Sequence, residues 1–317
     1  MINLPNEFLK PETRENFYID ATMKTVWAAE LEVLNEIAKI CERHGLIWFM
    51  AFGALLGTVR HQGFIPWDDD IDIWLKRSDY LALLGYLQVE LPEGYVVKSP
   101  LLESGYSEYQ TCVMNSDSIS IDPTHLQKFH GCPFIVGIDV FPLDYLSVNG
   151  NSEQLRLFTA SRQGVMMLKN GENVTKIEAV LQMLEKGCDV TIERTCLENP
   201  ENHQAKEELI AGLWGLANEI AMSEENDTGQ LVMYLDYCKY KKIYESDWFN
   251  TVRYLPFEGF DVPIPNQYDK ILRVIYGDYM VRMRDSAMHD YPFYKKQVEQ
   301  LRRRVEKVQV DQRKEGK

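Results

Sequence analysis

The chain has 317 residues and a formal net charge of −14, and 45% of its residues are apolar while 26% are charged. These proportions are those of a globular protein with one large domain or two. The acidic balance argues against a nucleic-acid-binding surface, which would need a basic face. No apolar run reaches the roughly 18–20 residues of a membrane-spanning helix, and the acidic residues of the first segment argue against a signal peptide.

The six cysteines are scattered along the chain and form no C-x-x-C pair. In a chain without an export signal, such cysteines are expected as free thiols in a reducing compartment rather than as disulfides or zinc ligands. The composition therefore predicts a cytoplasmic protein.

The first part of the chain alternates between helical and strand-like patterns. Apolar residues recur at helical spacing over residues 20–44, and Gly45 follows as a helix stop. A short helix is predicted from Gly53, where its amide groups would face a ligand. The predicted order after Gly45 is strand 46–52, helix 53–60, loop 63–66, strand 67–75, helix 78–89 and strands near 94–98, 109–115 and 133–141.

The second part of the chain begins with a helical region. Helical periodicity dominates from about residue 152 to 245, where we expect roughly four helices. Residues 251–264 form a predicted hairpin that turns at Glu258, and Pro265 begins a further helix. The tail 295–317 holds nine Lys and Arg against four Asp and Glu. Its apolar spacing predicts packing on its own protein or on a twin chain, and its charge leaves open an attraction to a membrane surface.

Four carboxylates lie within residues 68–72 and form the most informative motif of the chain. Residues two apart in a strand share a face, so Asp70 and Asp72 would project together while Ile71 and Ile73 point into a core. Carboxylates that close repel, and neither ionises readily without a cation. Mg²⁺ takes carboxylate oxygens and keeps open positions for phosphates. The motif therefore predicts the metal platform of a phosphate-transferring enzyme.

A calcium-binding loop without enzymatic activity is the alternative interpretation of this motif. Asp68, Asp70 and Asp72 would occupy its positions 1, 3 and 5, and Asp79 would fall at position 12. Position 6 should be glycine and is Ile73, which disfavours the required sharp turn. The alternating isoleucines also favour a strand.

Residues 52–73, FGALLGTVRHQGFIPWDDDIDI, resemble the signature of the LicD family. This resemblance extends over about residues 25–285 and implies a nucleotidyltransferase-like fold. Bacterial members transfer phosphocholine from CDP-choline to sugars of cell-surface glycans, and animal relatives, fukutin and fukutin-related protein, transfer ribitol phosphate. The later blocks that resemble the family lie at residues 137–144, 257–259, 262–265 and 276–280.

The resemblance also implies a set of site residues. It places the phosphate-binding turn at Gly53, two metal ligands at Asp70 and Asp72, and a third at Asp139, with one or two Mg²⁺ ions and Mn²⁺ as the alternative ion. In this chain Ala54 follows the glycine, where the wider superfamily prefers glycine or serine. Backbone amides would therefore have to hold the phosphate.

The expected chemistry is an in-line attack by an acceptor hydroxyl on the second phosphorus of a CDP-alcohol, which releases CMP. Positioning and charge neutralisation carry most of such a reaction. Asp139 or Asp68 would accept the hydroxyl proton, and the sequence does not choose between them. Arg60 is a candidate diphosphate clamp because guanidinium matches phosphate oxygens bidentately, with an ordinary ion pair as the alternative. His61 is a candidate helper.

A choline group would need a site for a quaternary ammonium, which aromatic rings can hold by cation–π attraction. Core or rim packing is the alternative role for such rings. The aromatic candidates are Trp67, Trp74, Tyr268 and Tyr276.

Patterns and resemblance together predict an α/β fold of the α+β kind: a nucleotidyltransferase-like mixed sheet with helices and an added helical lobe. The predicted parts are a catalytic core at 20–150, a helical lobe at 151–248, a hairpin and helix completing the core at 249–294, and a basic C-terminal helix at 295–317.

The expected function is transfer of a phosphoryl-alcohol, with phosphocholine as first choice, onto a cell-surface glycan such as lipopolysaccharide or teichoic acid. The alternative is a nucleotidyltransferase that uses an NTP and releases pyrophosphate. The expected partners are CDP-choline or another CDP-alcohol and a glycan acceptor, without nucleic acid. A homo-oligomer and an association with the inner face of the membrane stay open.

Overall fold

The computed structural model describes residues 2–5, 7–102, 106–147, 151–199, 201–282 and 291–315. Parts of the predicted divisions, such as residues 283–290 and the last two residues of the basic tail, lie outside this description. Among the described residues, no helix is both long enough and apolar enough to pass through a membrane.

A short hairpin that the sequence did not predict precedes the first long helix. Its strands are β1 (Glu12–Arg14) and β2 (Phe17–Ile19). Helix α1 (Ala21–His44) confirms the predicted first helix. The side chain of Asp20 caps its first turn by accepting from the Met23 amide, and Gly45 ends it in the left-handed conformation, with φ 65°.

A mixed sheet forms the centre of the molecule, with strand order β3-β4-β7-β6-β5. β4 and β7 run parallel, and the other neighbouring pairs in this order are antiparallel. The elements in chain order are β3 (Trp48–Met50), α2 (Phe52–His61), β4 (Ile71–Lys76), α3 (Arg77–Glu90), β5 (Val96–Lys98), β6 (Thr111–Met114), α4 (Pro123–Lys128) and β7 (Gly137–Tyr145).

Strand β4 is shorter than the predicted strand 67–75, because it begins only at Ile71. The chain before it turns, and the Asp68 amide donates to the Ile65 carbonyl at 2.9 Å. Within β4, Ile71 and Ile73 are fully buried, whereas Asp72 between them is half-buried on the opposite face of the sheet. The predicted alternation therefore holds from Ile71 onward.

The helical lobe has a hydrophobic core of its own and is attached to the sheet by strands. Its strand β8 pairs with the end of β7, with Val232 opposite Asp144. The sequence predicted the helices here but not the strands. The elements are α5 (Asn151–Asn170), α6 (Val174–Cys188), α7 (Thr195–Glu198), α8 (His203–Ala221), β8 (Gln230–Val232), α9 (Tyr234–Tyr240), β9 (Tyr244–Glu245) and a 3₁₀ turn (Ser246–Phe249).

The C-terminal part returns to the central core, as expected. Strands β10 (Val252–Phe257) and β11 (Phe260–Pro265) form the predicted hairpin. Pro265 does not begin a helix, because it pairs with Val252 as the last residue of β11; helix α10 (Tyr268–Tyr276) starts later. The architecture is thus the predicted α/β fold, a mixed sheet with helices and a helical lobe.

The terminal helix α11 (Lys295–Glu315) packs on its own protein, in line with one of the two predicted arrangements. Val298 and Leu301 contact the central core. The Gln297 side chain accepts from the Ile135 amide at 2.8 Å and donates to the Ile135 carbonyl at 2.9 Å.

Candidate active site

Three consecutive carboxylates, Asp68–Asp70, lie directly before β4, and we call them the acid loop. Their oxygens lie within 4.8 Å of one another, a spacing at which one cation can bind them all. Asp69 is fully buried and accepts from the Phe293 amide at 2.6 Å, which ties the loop to the C-terminal segment. The predicted strand geometry of Asp70 is wrong, since Asp70 precedes the first strand residue.

A second pair of carboxylates comes from neighbouring strands. Asp72 on β4 lies directly opposite Asp139 on the parallel strand β7, and such strands are about 4.8 Å apart. Burial, then the charges of Asp70 and Asp139, raises the pKa of Asp72 well above its usual range. Burial also raises the pKa of Asp139 to about 6, although Gln110 donates a hydrogen bond to its Oδ2 at 3.0 Å. The fold therefore holds negative charges together here at a cost in free energy.

The donor set of this region suits a hard divalent cation. The acid loop and the facing pair offer carboxylate oxygens, which Mg²⁺, Mn²⁺ and Ca²⁺ prefer over nitrogen or sulfur. Of the three predicted ligands, Asp72 and Asp139 face each other across the strands, and Asp70 lies two residues before Asp72. The charge of Asp70 also raises the pKa of the other two carboxyl groups. The tightest group among the described residues is nevertheless the acid loop itself.

The N-terminus of α2 borders the acid loop. Gly53 lies in its first turn, and a Cβ atom at this position would collide with the Asp68 carboxylate, so only glycine fits without a shift. Phe52 before it has φ 40°, a strained backbone conformation. Ala54 is buried and has no side-chain hydroxyl group, so only its backbone amide could donate to a ligand. The amides and the positive dipole end of this ten-residue helix form a suitable place for a phosphate.

Arg60 and His61 lie at the other end of α2, roughly 10 Å along the helix from Gly53. Arg60 donates from Nη1 to the Tyr279 carbonyl at 2.8 Å, and burial lowers its pKa. The Nε2 atom of His61 lies 3.4 Å from a carboxylate oxygen of Glu15, and burial lowers the pKa of this histidine. The structure therefore places the predicted clamp, Arg60, at the C-terminal end of α2 and not at the phosphate turn at its start.

Two of the predicted aromatic contacts, Trp74 and Trp67, pack against other aromatic side chains. Trp74 is fully buried, with its ring against those of Phe52, Tyr244 and Phe249. The prediction that Trp74 touches a ligand is wrong, because these rings leave it no exposed surface. Trp67 is half-buried, and its ring centroid lies 6.4 Å from that of His61.

The other two aromatic candidates differ in their distance from the acids. Tyr268 is half-buried, and the Arg253 guanidinium lies 5.7 Å from its ring centroid. Tyr276 is 40% exposed, and its pKa is raised by burial and then by the charges of Asp68 and Asp72. The charges of Asp68 and Asp72 therefore act on the hydroxyl group of Tyr276.

The sequence analysis missed two aromatic rings on the carboxylate face of the sheet. Phe141 follows Asp139 by two residues on β7 and therefore points to the same side. Its ring centroid lies 5.6 Å from that of Phe52, and both rings are half-buried. The spacing of Asp139 and Phe141 was a usable signal. Gln110 gave none, because its contact with Asp139 depends on the pairing of distant strands.

Comparison with known proteins connects this site to a family. The model of the LicD/FKTN/FKRP nucleotidyltransferase domain matches residues 45–130, which include Gly53, the acid loop and Asp72. The lipopolysaccharide cholinephosphotransferase LicD of Haemophilus influenzae is 24% identical over 251 residues, which cover 79% of this chain and 88% of that protein. Uncharacterized proteins of Rickettsia prowazekii and Rickettsia typhi are 34% and 33% identical over 70 and 96 residues, or 21% and 28% of this chain and 25% and 31% of theirs.

Proposed function

Because this chain belongs to the LicD family, we propose that it is a phosphocholine transferase that uses CDP-choline and releases CMP. The acceptor we propose is a hydroxyl of a cell-surface glycan, in keeping with the name of the Haemophilus relative. The observation that carries the proposal is the direct pairing of Asp72 with Asp139 beside the acid loop and the glycine turn of α2. In this arrangement a cation and a diphosphate could bind next to each other.

Asp70, Asp72 and Asp139 would hold the Mg²⁺ ion, or Mn²⁺ in its place. When bound, the ion would neutralise charge on the diphosphate and on the departing CMP. The amides of Gly53 and Ala54 would orient the phosphate at the positive end of α2. The protein then needs to do little covalent chemistry, because positioning the donor and the acceptor accounts for most of the reduction in the activation barrier.

We assign the role of general base to Asp68. Its Oδ2 atom lies against Gly53, at the turn where the phosphate would bind. An acceptor hydroxyl in line with that phosphate would lie within reach of this oxygen, which is the geometric requirement for proton transfer. Asp139, by contrast, accepts a hydrogen bond from Gln110 and faces Asp72 across the strands, as suits a ligand.

The choline group would bind beside the carboxylates, on Phe141, Phe52 and Tyr276. Phe141 and Phe52 replace Trp74 of the predicted set, because Trp74 has no exposed surface, and Tyr276 is retained from that set. Each cation–π contact contributes roughly 0.5–2 kcal/mol. The subsite therefore predicts that CDP-choline binds more tightly than CDP-glycerol, which carries no positive charge.

The test is a product analysis with the purified chain, Mg²⁺ and a glycan acceptor. CDP-choline should yield CMP and a phosphocholine-modified acceptor, whereas CTP should yield no pyrophosphate. Asp72→Asn should reduce CMP formation by at least about 100-fold, since loss of a metal contact costs that much or more. Asp117→Asn makes the same change of charge at an exposed position and should keep wild-type activity. Pyrophosphate from CTP without CMP from CDP-choline would overturn the proposal.

A further inference from the structure

Glu30, in the middle of α1, is a buried carboxylate without a partner. It has no exposed surface, and neither of its side-chain oxygens accepts a hydrogen bond within the part of the chain that the structure describes. Glu32 on the same helix is nearly as buried but accepts from His130 at 2.8 Å and from the Ile2 amide at 2.8 Å. Unpartnered buried carboxylates are rare, because losing water without replacement costs free energy.

The unpartnered oxygens of Glu30 belong to a side chain that faces the acid loop. Trp27, three residues earlier, donates from its indole nitrogen to the Asp68 carbonyl at 3.1 Å. Side chains three apart lie on the same face of a helix, so Glu30 is directed toward the same loop. In agreement, burial and then the charges of Asp70, Asp69 and Asp68 raise the pKa of Glu30 well above its usual range.

We propose that Glu30, Asp69 and Asp70 form a divalent-cation site beside the general base Asp68, with Glu30 as its buried carboxylate on the α1 side. The carboxylate oxygens of Asp69 and Asp70 already lie within bridging distance of each other, and the buried Glu30 side chain faces them from the α1 side. Hard divalent cations such as Mg²⁺ and Mn²⁺ match this all-oxygen donor set. The ion would join α1 to the loop that supplies Asp70, in addition to an ion at Asp72 and Asp139.

This inference rests on the proposed function only where that function assigns an ion to Asp72 and Asp139. It does not depend on which donor or acceptor the protein uses. The opposing explanation is that Glu30 simply keeps its proton. A neutral glutamine would then replace it without any effect on cation binding, so the two explanations predict different titrations.

The experiment is a calorimetric titration of the metal-free full-length chain with Mn²⁺, together with thermal unfolding. The wild type should bind two ions, and Glu30→Gln should bind one, or bind the second at least tenfold more weakly. The metal-free melting temperature of Glu30→Gln should equal or exceed that of the wild type, because glutamine cannot carry the negative charge that burial and the acid loop oppose. Wild-type stoichiometry and affinity in Glu30→Gln would overturn the proposal.

Glu32→Gln is the matched control, since it makes the same change at a buried position of the same helix. It should lower the metal-free melting temperature, because Glu32 has partners, and should leave the Mn²⁺ titration unchanged. If Glu30→Gln does not fold, Glu30→Asp serves as the test. Its carboxylate is withdrawn by one methylene, so the affinity for one of the two Mn²⁺ ions should fall. Unchanged affinity for both ions would overturn the proposal. If Glu30→Gln loses one ion but the wild type releases no CMP from CDP-choline, the proposed function is refuted and the cation site is not.

Discussion

Arg77 joins the central sheet to the helical lobe, and its removal gives the sharpest test of how the two are held together. At the start of α3, its Nε and Nη2 atoms donate to the two carboxylate oxygens of Asp144 at 2.6 and 2.8 Å. Its Nη1 atom donates to Asn218 on α8 at 2.9 Å. The Asp144 side chain is 1% exposed and that of Arg77 is 11% exposed. The pair is therefore buried and geometrically well matched.

Arg77→Met keeps most of the apolar stem and leaves the Asp144 carboxylate buried without its counter-charge. Removing one partner of a buried pair costs about 3–5 kcal/mol. For a chain of this size each kcal/mol lowers the melting temperature by roughly 2 °C, so we expect a fall of about 6–10 °C. Urea unfolding followed by circular dichroism measures the same loss as a free energy of unfolding.

The double variant Arg77→Met/Asp144→Leu separates the pair from the packing around it. With both charges gone, its loss of stability should be well below the sum of the two single losses. Arg273→Met removes an exposed partner of Asp269, 2.9 Å away on α10, and should leave the unfolding midpoint unchanged. If Arg77→Met lowers the midpoint no more than Arg273→Met does, the reasoning about the buried pair is wrong.

Three further changes test the surroundings of the acid loop. Gly53→Ala should keep the fold but reduce CMP release at least tenfold, because the added methyl group displaces the Asp68 carboxylate; wild-type kinetics would contradict this. Glu258→Gln should lower the free energy of unfolding by about 1–3 kcal/mol in urea denaturation, since it weakens the charged hydrogen bonds from the partly exposed Arg14, the shorter of them 2.6 Å. Trp27→Phe removes the indole donor to the Asp68 carbonyl and should cost about 1 kcal/mol by the same assay; an unchanged midpoint would show that this bond contributes nothing.

Local patterns were sufficient wherever the structure depends on neighbours in the chain. Helix α1 followed from its apolar spacing and Gly45, and the β10–β11 hairpin followed from its turn at Glu258. The start of β4 could not be predicted in this way. The residues before Ile71 form a turn, whereas the residues from Ile71 onward pair with a strand more than 60 positions away. Alternation alone cannot show where such pairing begins.

In the candidate site, too, local patterns predicted the contacts between chain neighbours but not those between distant residues. Asp72 and Trp74 lie two residues apart on one face of β4, so strand alternation alone predicts that both side chains could contact a ligand. Tyr244 and Phe249, which cover Trp74, come from a distant part of the chain. The sequence pattern does not distinguish Glu30 from the other polar residues of α1, because a periodic pattern does not show that the carboxylates of the acid loop are its neighbours in space.

The energetics of the site explain why a fold would keep so many acids together. A carboxyl group whose pKa is raised by folding favours the folded state below its unfolded pKa and loses that contribution as pH rises through its folded pKa. For Asp139, with a folded pKa of about 6, the loss is complete above that pH. Near neutral pH the metal-free site therefore opposes folding. A bound cation would remove this repulsion, so we expect the free energy of unfolding to rise when a divalent metal is added.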